Sequence, residues 1–308
     1  MKIAYIGRFK DIWDEGSIAT GLRMHGHDVL KIDEAAMYNN KDLMTLIKRH
    51  GSEVVLFNKL RIIQQPAAFI KQCRQEGLPT ISWTFDLIIG HPARQDSVKT
   101  FSFLYADYCF LTDGGRQAEY RALGINKYTL RQGIPDEFAY MEKKEQTIDI
   151  LFVGTENGTF PYRQRMLRFL KEKYGARFMW VGRDNAYQVR GKDLNTLYAK
   201  AKIVIGDCMY AENYWSNRVY ETIGRGAFLI HPRVKGLELE LTPYKHFVPY
   251  DWADFEQLGE KIDYFLERPA LRDKIRTAGF QYVKKHYKMS DRCKELIDLY
   301  TKLHDTPN

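Results

Sequence analysis

The stretch "QTIDILFVGTENGTFPYRQRMLRFLKEKYGARFMWVG" (146–182) reads as strand, glycine turn, helix and strand. Its opening "QTIDILFVG" is rich in apolar and β-branched residues and stops on Gly154. "YRQRMLRFLKEKYG" (162–175) follows as an amphipathic helix with Gly175 as its stop. "RFMWVG" (177–182) is the next strand. Strands joined by a helix at this spacing make a βαβ unit, and such units build parallel sheets. The polar, charged "PDEFAYMEKKEQT" (135–147) before it reads as a linker, so this strand starts a second series rather than continuing a first.

Working outward, both sides repeat the alternation. Ahead lie the strands "KIAYIG" (2–7), "HDVLKI", "EVVLFN" (53–58), "PTISWTF" (79–85), "YADYCFLT" (105–112) and "KYTLRQG", with helices between them. Behind lie the helix "DLNTLYAKA" (193–201), the strand "KIVIGD" (202–207), a helix within "YWSNRVYETIGRG", the strand "AFLIHP" (227–232) and the short strand "HFVPY" (246–250). Residues 253–303 are helical, with Ser290 and Asp291 read as the N-cap of the last helix. The expectation is an α/β protein of two Rossmann-like domains facing a central cleft. Residues 1–145 form the first, 146–289 the second, and 290–308 a closing helix. Ligands of such sheets bind at the carboxyl ends of the strands.

Bulk composition narrows the function classes. The 308 residues are 44% hydrophobic and 28% charged, as in a globular protein of two ordinary domains. No apolar run approaches a membrane span or a secretory leader, and the four cysteines lack metal-finger spacing, so a cytoplasmic protein with reduced thiols is expected. The net charge is +8. Residues 1–145 hold 20 Lys and Arg against 18 Asp and Glu, and residues 146–308 hold 27 against 21. The excess lies mostly in the second half and is spread along helices, as on a solvated basic surface.

Two stretches carry candidate chemistry. "FVGTENGTFPYRQR" (152–165) supplies Gly154, Thr155, Gly158 and Thr159 just before a helix. Small residues there let backbone amides approach a phosphate at the helix N-terminus, although an empty strand-to-helix turn has the same composition. It is neither G-x-G-x-x-G nor a Walker loop, which disfavours dinucleotides and ATP hydrolysis. In "YWSNRVYETIGRGAFLIHP" (214–232), Arg218 falls in the first turn of a helix, against the dipole unless an anion is bound. Its planar fork suits a diphosphate. Glu221 lies one turn on, and a carboxylate can accept two hydrogen bonds from vicinal ribose hydroxyls. A surface Arg–Glu pair is the plainer alternative.

The pattern Asn217-Arg218-Val219-Tyr220-Glu221, then "GRGAFLI" (224–230) and "VKGLE" (234–238), resembles the donor-binding half of GT-B glycosyltransferases. The nearest likeness is to the CgeB-like, glycosyltransferase family 1/4-like group. "ILFVGT" with a following Arg163, "VGRD" (181–184) and the closing helices from "HFVPYDW" add to it, and the likeness is sharpest over 146–290. The resemblance implies hexosyltransferase-like transfer from a nucleotide-diphosphate sugar, with UDP the first choice of nucleotide and no further cofactor. It implies that Glu221 binds the donor ribose, that Arg218 and Arg163 contact the diphosphate, and that Gly182 and Arg183 lie near the nucleobase. Gly154, Thr155 and Asn217 complete the donor-side set. Many retaining members carry two glutamates eight residues apart. Here the position eight before Glu221 is Asn213, with Glu212 beside it.

The first domain should hold the acceptor and a base. Asp14 and Glu15 in "FKDIWDEGS" and Asp86 in "SWTFDLIIGHP" follow its strands and are the candidates. Trp83 and Phe85 also fit as core, with Asp86 as a turn cap. The acceptor is a carbohydrate, small molecule or protein. DNA with hydroxylated bases is one alternative, and a non-catalytic nucleotide-sugar-binding protein is another. No His, Cys, Asp or Glu spacing matches a protein metal site.

Overall fold

The computed structural model describes residues 1–9, 14–36, 38–60, 65–155, 161–182 and 189–306. The chain divides into two compact units, residues 1–132 with 289–308, and residues 133–288.

The first unit runs β1 (Lys2–Gly7), α1 (Asp14–Met24), β2 (Asp28–Asp33), α2 (Asn40–His50), β3 (Val54–Phe57), α3 (Pro66–Gln75), β4 (Thr80–Thr84), β5 (Tyr108–Leu111), α4 (Gln117–Ala122) and β6 (Lys127–Thr129). All paired strands are parallel, in the order β2-β1-β3-β4-β5-β6. Helices cover both faces, so β3 and β4 are buried at every position and read as unbroken apolar or small-polar runs. Local chemistry sets the helix ends. In α2, Asn39 Oδ1 accepts the Asp42 N–H and Gly51 closes the helix at φ 70°. Between β4 and β5 the chain makes short 3-10 turns over 92–105, where the sequence pattern shows no periodic element.

The second unit runs β7 (Ile148–Val153), α5 (Pro161–Tyr174), β8 (Phe178–Val181), α6 (Gly191–Ala199), β9 (Ala201–Ile205), α7 (Arg218–Gly224), β10 (Leu229–Pro232), α8 (Leu237–Glu240), β11 (Val248–Tyr250), α9 (Phe255–Leu266) and α10 (Pro269–His286). Its parallel sheet has the order β11-β10-β9-β7-β8. Strand order therefore reverses at β7, which lies between β9 and β8. In an open α/β sheet the crevice beyond such a switch point is where ligands bind. One core lies under α5 and α9, and others lie on the opposite face around α7 and α6.

The units divide ahead of the 145/146 boundary read from the sequence, because residues 133–145 pack on the second unit. Asn195 Nδ2 donates to the carbonyls of Phe138 and Tyr140, at 3.0 Å each. Ile134 N donates to Tyr287 O. The final helix, α11 (Met289–Asp305), packs against α1 and shares a core with β1, β3 and β4. It begins at Met289, so Ser290 and Asp291 sit inside its first turn rather than before it. Ser290 is buried, and its carbonyl pairs with His25 Nε2 at 2.9 Å. Among the described residues no helix is long and apolar enough to cross a membrane.

Candidate functional site

The switch point of the second sheet gathers the chain just past β7 and β9 with the starts of α5 and α7. Gly154 follows β7. Its N–H donates to Val181 O, and its carbonyl accepts Trp180 Nε1 at 2.8 Å. A Cβ on Gly154 would lie 2.7 Å from Arg218 Nη1 and 3.0 Å from the Phe152 ring. Gly154 is thus glycine because a guanidinium rests on it. Gly182, after β8, takes φ 96° and would bring a Cβ to 3.1 Å from Gly154 O. Two glycines therefore let the ends of adjacent strands close on each other and leave room for an arginine.

Two arginines flank one buried carboxylate here. Arg163, in the first turn of α5 and 6% exposed, donates from Nε to Asp207 Oδ2 at 2.5 Å and from Nη1 to Thr155 O at 2.7 Å. Asp207 follows β9 and is 3% exposed. Arg218 opens α7 and keeps 28% of its side chain exposed, with Nη2 3.2 Å from Asp207 Oδ1. That approach lacks hydrogen-bond direction, since Asp207 Oδ1 has no hydrogen-bond partner among the described residues. Arg218 also reaches Val153 O and Ser216 Oγ, at 3.3 and 3.4 Å. Both guanidinium groups lie over the Phe152 ring.

The electrostatics follow from this packing. Burial alone pushes the Asp207 carboxyl up, but Arg218 and then Arg163 outweigh it and hold the group below the usual carboxylate range. Burial lowers the Arg163 guanidinium, with Asp207 opposing, yet an arginine starts so far above neutral pH that it stays charged. Two cations against one anion leave a net positive charge at the crevice. Arg163 is locked by directed bonds, whereas Arg218 is held loosely and half-faces solvent. Such an arrangement has one fixed cation and one able to reach an incoming anion.

Glu221, one turn into α7, is half-buried, and among the described residues its side chain makes no hydrogen bond or ion pair. The Arg218–Glu221 surface pair is therefore not formed. Asn217 precedes α7 and does not cap it; its Oδ1 accepts from Ser216 Oγ at 3.2 Å. Asn213, at φ 58°, sets its side chain against Gly236, while its N–H donates to Lys235 O. Glu212 beside it pairs with Lys235 on the surface. Arg183, Gly158 and Thr159 lie outside the described residues. Among the described residues no group of three or more His, Cys, Asp or Glu side chains could hold a metal ion.

In the first unit the three candidate bases differ. Asp86, just past β4, accepts from Lys59 Nζ and from Arg94 Nη2, the latter at 3.1 Å. Asp14 and Glu15 open α1. Glu15 accepts from Asn58 Nδ2 at 3.3 Å, and its Cγ lies 2.9 Å from where a Cβ on Gly7 would be. Burial, with Glu34 adding to it, raises the Glu15 carboxyl above the usual range. Burial thus favours the protonated form of Glu15 more than in an exposed carboxylate, while Asp86 faces two cations.

Sequence reasoning missed Asp207. It sits in "KIVIGD" as the residue after a strand, which was its only signal. Its two arginine partners come from positions 163 and 218, so nothing local reveals the triad.

The same fold recurs among solved structures. A sucrose-phosphate synthase from Thermosynechococcus elongatus is 13% identical, with TM-score 0.70 and 99% of each chain covered. Anabaena HepE, solved with UDP and glucose, is 9% identical, with TM-score 0.69 and 98% and 99% covered. A putative UDP-N-acetylglucosamine 2-epimerase from Listeria monocytogenes is less alike, at 9% identity and TM-score 0.56, with 99% and 97% covered. No match was found among curated protein sequences. The fold is that of GT-B glycosyltransferases, α/β with two parallel sheets. Within it, residues 163–298, beginning at the arginine that holds Asp207, match the family described as Glycosyl transferase-like.

Proposed function

We propose that the protein is a glycosyltransferase that takes a sugar from a nucleotide-diphosphate donor held by the second unit, with UDP as the nucleotide. The observation that carries this reading is the Arg163–Asp207–Arg218 triad at the switch point, roofed by a residue without a Cβ. Arg218 and Arg163 face the diphosphate. Thr155 and Gly154 supply the adjoining backbone, and the unpartnered Glu221 takes the ribose hydroxyls. Gly182 and Arg183 adjoin the nucleobase, and Asn217 belongs to the donor-side set at the start of α7. The family match over 163–298 and the UDP-bound state of HepE support the choice. The match also favours transfer over the epimerisation named for the Listeria protein, as a shared fold does not select a reaction. The motifs of residues 146–290 support a likeness to the CgeB-like group.

In this reading negative charge grows on the diphosphate as the glycosidic bond breaks. Arg218 and Arg163 stabilise it where it forms; Asp207 fixes Arg163 in advance and keeps Arg218 close at hand. The acceptor hydroxyl gives its proton to a carboxylate of the first unit. Of Glu15, Asp86 and Asp14, Glu15 has the raised basicity the step needs.

Calorimetry with uridine, UMP and UDP tests the donor site. Arg218→Ala should weaken UDP more than uridine, because only the phosphates reach it. Glu221→Gln should weaken all three by about 1.5–3 kcal/mol, the scale of hydrogen bonds to a charged group. Equal losses for every ligand in Arg218→Ala, or none in Glu221→Gln, would overturn these assignments.

A further inference from the structure

We propose that Tyr210 and Trp252 form an aromatic corner on which the sugar ring of the donor stacks. The inference rests on the donor reading above and adds the site of the transferred sugar. Both side chains are large, apolar and open to solvent, at 56% and 38% exposure. Both belong to the ligand end of the second sheet. Tyr210 lies in the loop that leaves β9, three residues past Asp207, and Trp252 follows β11. Their centroids are 5.5 Å apart and their planes meet at 59°, so one ring makes a floor and the other a wall.

The floor is fixed from below. Trp252 stacks on Tyr162 at 4.7 Å and 17°, and the Tyr162 hydroxyl is bonded to that of Tyr250 in the core. Tyr162 precedes Arg163, and the Asp207 carboxylate is among the charges its buried phenol senses. The ring that supports the corner is therefore the chain neighbour of the arginine that holds Asp207. A rigid ring loses little conformational entropy on binding, which suits a recognition platform.

Direction comes from the sheet. In the order β11-β10-β9-β7-β8, Gly182 follows one edge strand and Trp252 the other. The arginines stand between, at β7 and β9. A nucleotide whose base lies toward Gly182 and whose phosphates meet Arg163 and Arg218 points its sugar toward β11. Two strand spacings separate β9 from β11, about 10 Å, a span that a diphosphate and a pyranose cover together. The rim also suits a sugar. Beside Trp252 in the chain, Asp251 accepts from Arg233 Nε at 2.9 Å and from Gln257 Nε2 at 3.2 Å, all with planar polar groups near solvent. A flat apolar face edged by planar polar groups matches a pyranose, whose C–H face is apolar and whose hydroxyls lie at its edge.

The test is calorimetry of wild type, Tyr210→Ala, Trp252→Ala and Trp252→Phe with UDP, UDP-glucose, UDP-galactose and UDP-N-acetylglucosamine. Each alanine variant should keep wild-type UDP affinity and lose about tenfold for the sugar nucleotide that wild type binds best, the scale of one ring-stacking contact. Trp252→Phe should keep most of that affinity. Parallel losses for UDP and its sugars would place the nucleobase on the corner and overturn the proposal. So would unchanged sugar-nucleotide binding in both alanine variants, or a wild type to which none of the three sugars adds affinity over UDP. A wild type that binds no UDP at all overturns the donor reading itself, and this inference with it.

Discussion

At the scale of single residues, the site depends on an absence of atoms. Gly154 has ordinary backbone angles, so alanine is tolerated by the main chain there. What alanine meets is the end of the Arg218 side chain, a flexible group, and the Phe152 ring. Gly154→Ala should therefore cost less than about 1 kcal/mol of stability, below the usual penalty for overpacking, while displacing the guanidinium and weakening UDP. A double-mutant cycle checks this. If Gly154→Ala acts through Arg218, its effect on UDP affinity should vanish in an Arg218→Ala background. Full additivity would mean that the glycine matters for another reason, such as amide approach to a phosphate. Arg218 and Glu221 could be picked out in the sequence because a cation at a helix start and a carboxylate one turn later have few structural uses. Asp207 could not be, since a buried carboxylate acquires its role from partners remote in the chain. Asn213 gives the opposite case. Spacing singles it out, and the structure shows it seated against Gly236 with Glu212 turned outward to Lys235.

At the scale of elements, the strand–helix alternation was legible because most strands are short apolar runs near turn residues and the longer helices bury one apolar face. The segment 133–145 was harder to read. Its polar composition reads as a linker, yet it is held as a strap across α6 and α7. Arg225, at the end of α7, is the clasp. It is 3% exposed, donates from Nη1 to Gly191 O at 2.9 Å and to Asn195 Oδ1, and lies over the Phe138 ring at 4.7 Å. Gly226 beside it, at φ 79°, leaves the space that Met141 fills. A composition window cannot register a strap fastened by residues as remote in the chain as Asn195 and Arg225. Arg225→Ala should uncover Phe138 and leave Asn195 Oδ1 unpaired, for a loss of about 1–3 kcal/mol. Limited proteolysis should then cut within 133–145 before the rest of the second unit. Cleavage at the wild-type rate would show that the strap is held by its other contacts alone.

At the scale of the whole molecule, each unit has its own core, and the chain passes between them twice, at 132/133 and at 288/289. The second passage carries α11 onto the first unit, where Met289, Cys293, Leu296, Ile297 and Tyr300 complete a core begun by β1 and α1. A resemblance to known transferases implied a closing helix, but the residues that seat it are not marked in the sequence. Gly21 is the tightest point. A Cβ there would come within 2.9 Å of Cys293 Sγ and 3.1 Å of the Ser290 backbone, so helices α1 and α11 touch at a glycine. Gly21→Leu cannot be absorbed by a side-chain rotation alone, because one neighbour is main chain. The helices must separate, at a cost of about 1–3 kcal/mol, the usual scale for overpacking. That loss falls on the first unit. In calorimetric melting the variant should show an early transition absent from wild type. UDP at about 100 times its dissociation constant should add roughly 2.7 kcal/mol to the other transition only. UDP affinity itself should match wild type, since the residues proposed to hold the donor belong to the second unit and Gly21 to the first. One transition that shifts as a whole, with weakened UDP binding, would show instead that the two cores melt together and that the donor site depends on both.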